Sequence, residues 1–481
     1  MEAYLARLVE AVRPRRRLMI AIDGVPPLAK VVQQRERRYT AALRHATERD
    51  AEVLLRDEMG EHGDNQGEPP PLHTFDTCVI TPGTGFMEHM EAHLRRHLAE
   101  KAAGEWGHLE IIFSGMREPG EGEHKIMQVI RAQREVLRAR ADEHGAPSDG
   151  AGGIVMVGND ADLILLGLTT HDPRMRIVRD QFIKKKQLPR MERKVQEALR
   201  LAAGKQPEGV TRIQNLPFES FDLGALRACL YHEYDFLFDG GEEGEGAGFD
   251  FERVLDDMVF LTFIAGNDFT PSTPCMSYYE KPSSTDVLWN TYAKILPELG
   301  GYITHRGEIE DTKRLATLLH ALADGEMQRL ETFRKMAELR AKRMAKAKES
   351  GSRGGGEGGG RGRLARRVSH YDEQAGPATD VPNPQELRSE LRARIGEVVD
   401  SVFAPSRDRL ALAKAGDHER WYQGRVGVKG REGDRVANEF IRGLAWTLAY
   451  YHRGPGSDTG APWRWGYPYD DAPLMRDLPA T

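Results

Sequence analysis

Cysteine is scarce. Cys78, Cys229 and Cys275 are too few and too widely spaced in 481 residues for a disulfide framework, and they match no CxxC metal spacing, which fits a reducing compartment and argues against zinc. Long apolar runs are missing as well. No stretch approaches the roughly 18 residues of a membrane helix, and the amino terminus shows neither an apolar signal core nor a small-residue cleavage site, so secretion and membrane spanning are set aside. Nor is there a global positive field: 68 basic against 74 acidic residues leave a net charge of −6, and any nucleic-acid partner must be held by local patches. Aromatics are sparse, at 7%, and there is no internal repeat. What is abundant is glycine, with 50 residues distributed unevenly along the chain.

Residues 351 to 363 read GSRGGGEGGGRGR, a segment that cannot bury enough apolar area to offset its chain entropy. A disordered Gly/Arg-rich linker over 351–375 is expected. Ahead of it, the charged run 326–350 is rich in Ala, Leu, Met, Lys, Arg and Glu and predicts a long solvated helix. Polar loops are expected at 56–71 and 240–248. The chain therefore reads as a core over 1–325, the charged helix, the linker, and a helical and aromatic region over 376–481. Short apolar runs at Leu18 to Ile22, Leu109 to Phe113 and Ile154 to Val157 predict buried strands, each followed by a turn and a helical pattern. Their alternation points to an α/β fold with a parallel or mixed central sheet flanked by helices, followed by a mostly helical carboxyl-terminal region.

Each predicted strand runs into carboxylates: Asp23, then Glu121 and Glu123 in PGEGEHK, then Asp160 and Asp162 in GNDADL. Ligands of open α/β sheets bind beyond the carboxyl ends of the strands, so separate segments would deliver these acids to one edge. A fourth apolar run, VFLTFIAGND, ends at Asp268. Any one of these acids alone would read as a helix cap or a solvated surface group. Together they predict a site for Mg²⁺ or Mn²⁺, since clustered carboxylates repel one another and hard cations with oxygen ligands relieve that repulsion. Two ions about 4 Å apart would support in-line phosphodiester hydrolysis.

After Asp23, the prolines of GVPPLAK can start a helix on which Lys30, Gln34, Arg37 and Arg38 share one face, a phosphate grip in outline. Near the other end, Trp446, Tyr450 and Tyr451 lie at helical spacing beside leucines and read as core. Trp463 and Trp465, in a Pro/Gly-flanked loop, are candidates for stacking on unpaired bases.

The strings AIDGVPPLAKVVQQRERR, FDTCVITPGTGFM, FSGMREPGEGEHKIMQVIR, GNDADLILLGL, FIAGNDFTP, LPELGGYI and RGLAWTLAYYHRG with WRWGYPYDDAP span almost the whole chain, and with them it resembles the Xrn-type 5′-to-3′ exoribonucleases. The resemblance implies a PIN/FEN-like nuclease core and a divalent-metal-dependent enzyme that degrades 5′-monophosphorylated single-stranded RNA to mononucleotides, in cytoplasm or nucleus. It matches the metal ligands to Asp23, Glu121, Glu123, Asp160, Asp162 and Asp268, the 5′-phosphate pocket to Lys30, Gln34, Arg37 and Arg38, and the stacking tryptophan to Trp463 or Trp465. The pattern departs in two places: the family's usual opening segment, with a further acidic ligand and a stacking histidine, has no counterpart before the AIDG strand, and GNDADL stands where the family has GLDADL. A catalytically impaired RNA-binding relative, or a truncated product, is the alternative, with a structure-specific flap or PIN-like nuclease behind it.

Overall fold

A computed structural model describes residues 1–58, 77–144, 153–181, 217–238, 247–278, 281–353, 394–395, 398, 412–429, 432–456 and 460–480. Two units divide the chain: Met1–Val32, Val79–Leu322 and Asp434–Thr481 form the first, and Gln33–Cys78 with Ala323–Gly433 the second.

In the first unit, α1 (Glu2–Val12) leads to β1 (Arg17–Ala21), and α2 (Leu28–Glu58) starts soon after, its later turns belonging to the second unit. Then come α3 (Gly85–Ala103), β2 (Glu110–Ser114), α4 (Gly122–His144), β3 (Val155–Val157), α5 (Asp162–Leu168), β4 (Arg176–Asp180) and β5 (Phe218–Asp222). The expected strands at 18–22 and 109–113 appear as β1 and β2, parallel and in register from Arg17 opposite Glu110 to Ala21 opposite Ser114. Their apolar side chains pack with α1 and α3: Leu18, Ile20, Ile111 and Phe113 join Leu5, Val9, Leu98, Trp106 and Leu109. The third expected strand, β3, takes a different partner. It pairs parallel with β4, which pairs antiparallel with β5, so β1 to β5 form two small sheets where one central sheet was expected. Three residues cannot sustain a long ladder, and the Gly158 amide donates to the Val178 carbonyl on β4 rather than toward β1.

The helical remainder of this unit comprises α6 (Leu223–Glu233), α7 (Phe251–Thr262), α8 (Ser284–Leu299), a small hairpin of β6 (Thr304–His305) and β7 (Glu308–Ile309), and α9 (Thr312–Asp324), whose last two residues belong to the second unit. Asp222, Asp250 and Ser283 cap the first three helices by accepting backbone N–H bonds, and Ser283 and Asp286 form a capping box. Helix α7 is buried from Val254 through Thr262. In the second unit the charged run makes α10 (Glu326–Arg353), three residues longer than the expected helix, and α11 (Asp417–Trp421) follows. Helix α12 (Glu432–Arg453) returns to the first unit with a buried face that includes Phe440, Leu444, Trp446, Tyr450 and Tyr451. Of the expected loops, residues 56–58 instead close α2 and 247–248 are irregular, and 351–353 of the expected linker extend α10; the rest, 59–71, 240–246 and the linker beyond Arg353, lie outside the described residues.

Candidate active site

Two strand-end loops are locked together by their backbones. The Gly24 amide donates to the Gly120 carbonyl and the Gly120 amide to the Val25 carbonyl, both at 2.9 Å. Gly120 has φ +110°, and a side chain at Gly24 would lie 1.9 Å from the Glu118 carbonyl oxygen, so only glycine allows this approach. The consequence is chemical: Asp23 accepts from the Gly122 amide at 2.7 Å, beside Glu121 and Glu123 at the start of α4. A buried lysine that the motif reading did not single out holds the strand ends, since Lys125 Nζ donates at 2.8 Å to the carbonyls of Ile22 and Gly115. Glu91 on α3 accepts from the Met116 amide at 2.8 Å and fixes the start of the β2 loop.

Asp160 and Asp162 enter at the head of α5, where the Asp162 amide donates to Asp160 at 3.3 Å. Asn159, at the departure from the family string, bridges to the end of β4. Its amide nitrogen donates to Asp180 at 3.2 Å and its oxygen accepts from the Asp180 amide at 3.0 Å, so the polar residue anchors the turn. Asp268 follows Asn267, whose side-chain oxygen accepts from the amides of Phe269 and Thr270 at 2.8 and 3.0 Å.

Lys30, in the first turn of α2, joins two of these segments. Its ammonium is 2.7 Å from Glu121 Oε1 and also pairs with Asp268. Burial disfavours that charge, but Glu121 and Asp268 outweigh it and hold the lysine above its ordinary pKa. The carboxylates press on one another. Burial, then the charge of Glu121, pushes Glu123 up to about 8; burial, then Asp160 and Asp268, pushes Asp162 up to about 6; and burial raises Glu121 despite Lys30. All six sequence-predicted acids thus fall within one electrostatic neighbourhood.

Of the predicted phosphate ligands, Lys30 is buried in the acidic centre. Gln34, Arg37 and Arg38 follow on the same continuous helix in its second-unit portion, with both arginines exposed. The two tryptophans differ. Trp465, half-buried like Trp463, stacks on Trp446, ring centroids 5.2 Å apart, and Trp446 stacks on Tyr450 at 4.9 Å, so one face of Trp465 is covered by a column that runs inward. Trp463 is half-buried and its carbonyl accepts from the Leu28 amide, which places its backbone beside the first turn of α2.

Tyr450 and Tyr451, read from the sequence as core, are buried but not inert. Tyr450 donates to Glu121 Oε2 at 2.7 Å, and burial, then the nearby Asp162 charge, hold the Tyr451 hydroxyl well above its ordinary pKa. Their spacing signalled only burial; the hydroxyls, which need partners when buried, were the available clue. Among the described residues no three acidic, histidine or cysteine side chains close on one point as they stand. The donor chemistry nevertheless fits hard divalent cations: the donors are all oxygen, and their mutual repulsion calls for positive charge.

Two family models match the chain, the XRN 5′-3′ exonuclease N-terminus over residues 1–181 and the Xrn1 helical domain over residues 248–480. The chain belongs to the Xrn-type exoribonuclease family. Its Xrn-type relatives include the 5′-3′ exoribonuclease 2 of Gallus gallus, 30% identical over 99% of this chain and 52% of that protein. The Drosophila melanogaster exoribonuclease 2 homologue is 32% identical over 98% of this chain and 51% of its own, and human 5′-3′ exoribonuclease 1 is 28% identical over 99% and 25%. The chain spans about half the length of the first two. The Xrn amino-terminal region has a PIN-like nuclease fold, which agrees with the small mixed sheets and surrounding helices here. Among the described residues no helix is long and apolar enough to cross a membrane.

Proposed function

We propose that this chain is a divalent-metal-dependent 5′-to-3′ exoribonuclease that degrades 5′-monophosphorylated single-stranded RNA to mononucleotides, working in cytoplasm or nucleus in RNA decay. The observation that supports it best is that Lys30 joins Glu121 to Asp268, with Asp23 bonded to the Gly122 amide beside Glu121. Asp23, Glu121, Glu123, Asp160, Asp162 and Asp268 would hold Mg²⁺ or Mn²⁺. A bound pair of ions would supply activation of water and charge stabilisation for phosphodiester hydrolysis.

The chain's own groups do the rest. Lys30 neutralises part of the acidic charge before substrate arrives and leads into the face of α2 that carries Gln34, Arg37 and Arg38. On that face arginine offers a two-pronged grip on a terminal phosphate and lysine a point charge. A terminal monophosphate is therefore recognised by charge and geometry that a 5′-hydroxyl lacks. Trp463, beside the first turn of α2, is the better platform for an unpaired base, because the face of Trp465 is taken by Trp446.

The test uses the purified chain and two RNAs that differ only in a 5′-monophosphate or 5′-hydroxyl, with Mg²⁺ or with EDTA. Mononucleotides released only from the phosphorylated RNA, and only with Mg²⁺, are expected. Equal rates on both RNAs, or decay in EDTA, would refute the proposal, and tight binding without turnover would assign the chain to the catalytically impaired alternative.

A further inference from the structure

We propose that helix α1 positions the turn that carries Asp160 and Asp162: the Tyr4 hydroxyl fixes the Asp180 carboxylate, Asp180 fixes Asn159, and Asn159 fixes the backbone from which Asp160 departs. Tyr4, Asp180 and Asn159 are then positioning residues, and the inference rests on the exoribonuclease reading. Every link is a hydrogen bond. The Tyr4 hydroxyl lies 3.0 Å from each oxygen of Asp180, so its proton is shared between them. Asp180, the last residue of β4, also accepts from the Asn159 amide nitrogen at 3.2 Å, and its backbone amide donates to the Asn159 oxygen at 3.0 Å. Burial, then the bond to Asp180, raises Tyr4 to about 12, so the hydroxyl stays a donor at neutral pH.

The need for such a device follows from the sheets. Asp23, Glu121 and Glu123 come after β1 and β2, whereas Asp160 and Asp162 come after β3, which shares no ladder with them. Helix α1 touches both sheets. Leu5 and Val9, one turn apart, gather with Leu18, Ile20, Ile111 and Phe113 of β1 and β2. Tyr4 and Arg7, three residues apart and on another side of the helix, reach the pair formed by Asp180 on β4 and Phe218 on β5. Tyr4 meets the Phe218 ring edge-on at 5.9 Å, and the Arg7 guanidinium lies over it at 4.2 Å. Beyond the backbone bond from Gly158 to Val178, it is the Asn159 side chain that ties the turn to β4. Packing on Phe218 would be served by phenylalanine at position 4; a hydroxyl shared by both oxygens of the carboxylate that holds Asn159 is not explained by packing.

The test compares Tyr4→Phe, which keeps the ring, with Asn159→Ala, an exposed position, and with the double variant. The control is Tyr292→Phe, which deletes the hydroxyl of a buried tyrosine bonded to a different carboxylate, Asp257. Three quantities are measured on the full chain: Mn²⁺ affinity by calorimetric titration without RNA, melting temperature in EDTA, and kcat with KM on 5′-phosphorylated RNA. Asn159→Ala is expected to bind Mn²⁺ about tenfold more weakly and Tyr4→Phe about threefold, with kcat falling by like factors and KM within about twofold. The double variant is expected to match Asn159→Ala, because Tyr4 acts through Asn159. Tyr292→Phe is expected to lower the melting temperature and leave Mn²⁺ affinity and kcat alone. Wild-type Mn²⁺ affinity in either single variant, a double variant that loses the product of the two factors, or an equal loss in Tyr292→Phe would overturn the inference and leave the nuclease reading standing. A wild-type chain that binds Mn²⁺ but cuts no RNA would overturn that reading, and the Mn²⁺ comparison would still decide whether α1 positions the turn.

Discussion

Buried carboxylates in two places of the first unit meet the same difficulty and resolve it differently. Asp257 on α7 is wholly buried, yet each of its oxygens is filled by neutral donors: Tyr292 and the Ile303 amide on one, the Thr304 amide and hydroxyl on the other, all at 2.5 to 2.8 Å. Burial pushes it up to about 6, and these hydrogen bonds pull the other way. Glu123 is raised further, to about 8, because after burial the next forces on it are Glu121 and, beyond a backbone hydrogen bond, Asp23. One carboxylate can be settled by dipoles; several facing one another require a cation. A third case lies between them. Glu252 and Asp256 share the imidazole of His171, which the structure itself supplies as a resident positive charge.

The sharpest way to break this comparison is to remove a charge from the acidic centre. Asp160→Asn keeps the volume, and kcat on 5′-phosphorylated RNA should fall at least about a thousandfold, about 4 kcal/mol of transition-state stabilisation, with the melting temperature nearly unchanged. Near-normal turnover would mean that Asp160 is a surface acid. At the other pole, Asp257→Asn turns one acceptor into a donor that faces donors. It should cost about 3 kcal/mol of unfolding free energy by urea titration while kcat of the folded chain holds. A loss of kcat without a loss of stability would erase the distinction between the two groups.

The tryptophans extend the same contrast to rings. Trp465→Ala, which removes the end of a stack that runs inward, should destabilise the fold by about 2 kcal/mol, whereas Trp463→Ala should spare stability and shorten processive runs on long RNA, read from single-turnover product ladders. The reverse pattern would exchange their roles. The smallest effect is expected at His171. Burial opposes its charge, but Asp256 and Glu252 prevail and raise it to about 9. Its folded-state pKa lies above the unfolded value near 6.5, so its contribution is complete below about pH 6.5 and lost as pH rises through about 9. His171→Gln should therefore cost on the order of 1 kcal/mol at pH 6 and less at pH 9.5, by urea unfolding at both pH values. A cost that grows with pH would contradict the ion pairing.

Five of the six acids were legible because they come after short apolar runs that form strands, and a strand that must be buried leaves its next polar residues at the sheet edge; Asp268 instead follows a buried helix, α7. Lys30 was legible as a cation on a helical face but not as the partner of Glu121 and Asp268, which lie 91 and 238 residues away. Lys125 was hidden differently. It sits inside a motif read for its acids, and nothing in PGEGEHK says that the lysine turns back to two strand-end carbonyls. The single central sheet was the natural expectation from three strand–turn–helix units, but strand pairing is set by partners far along the chain, and β3 chose β4.

Taken alone, the order of residues determined the chemistry of this protein: an oxygen-only acidic set, a cationic helix face after Asp23, and the glycines that let two loops touch. Those are properties of residue types and their local spacing. Which tryptophan stacks on Trp446, where the lysines point, and that Tyr450 near the carboxyl terminus reaches an acid delivered from far earlier in the chain were decided by tertiary structure. A hydrogen bond depends on where two atoms end up in space, and periodicity along the chain carries no record of that.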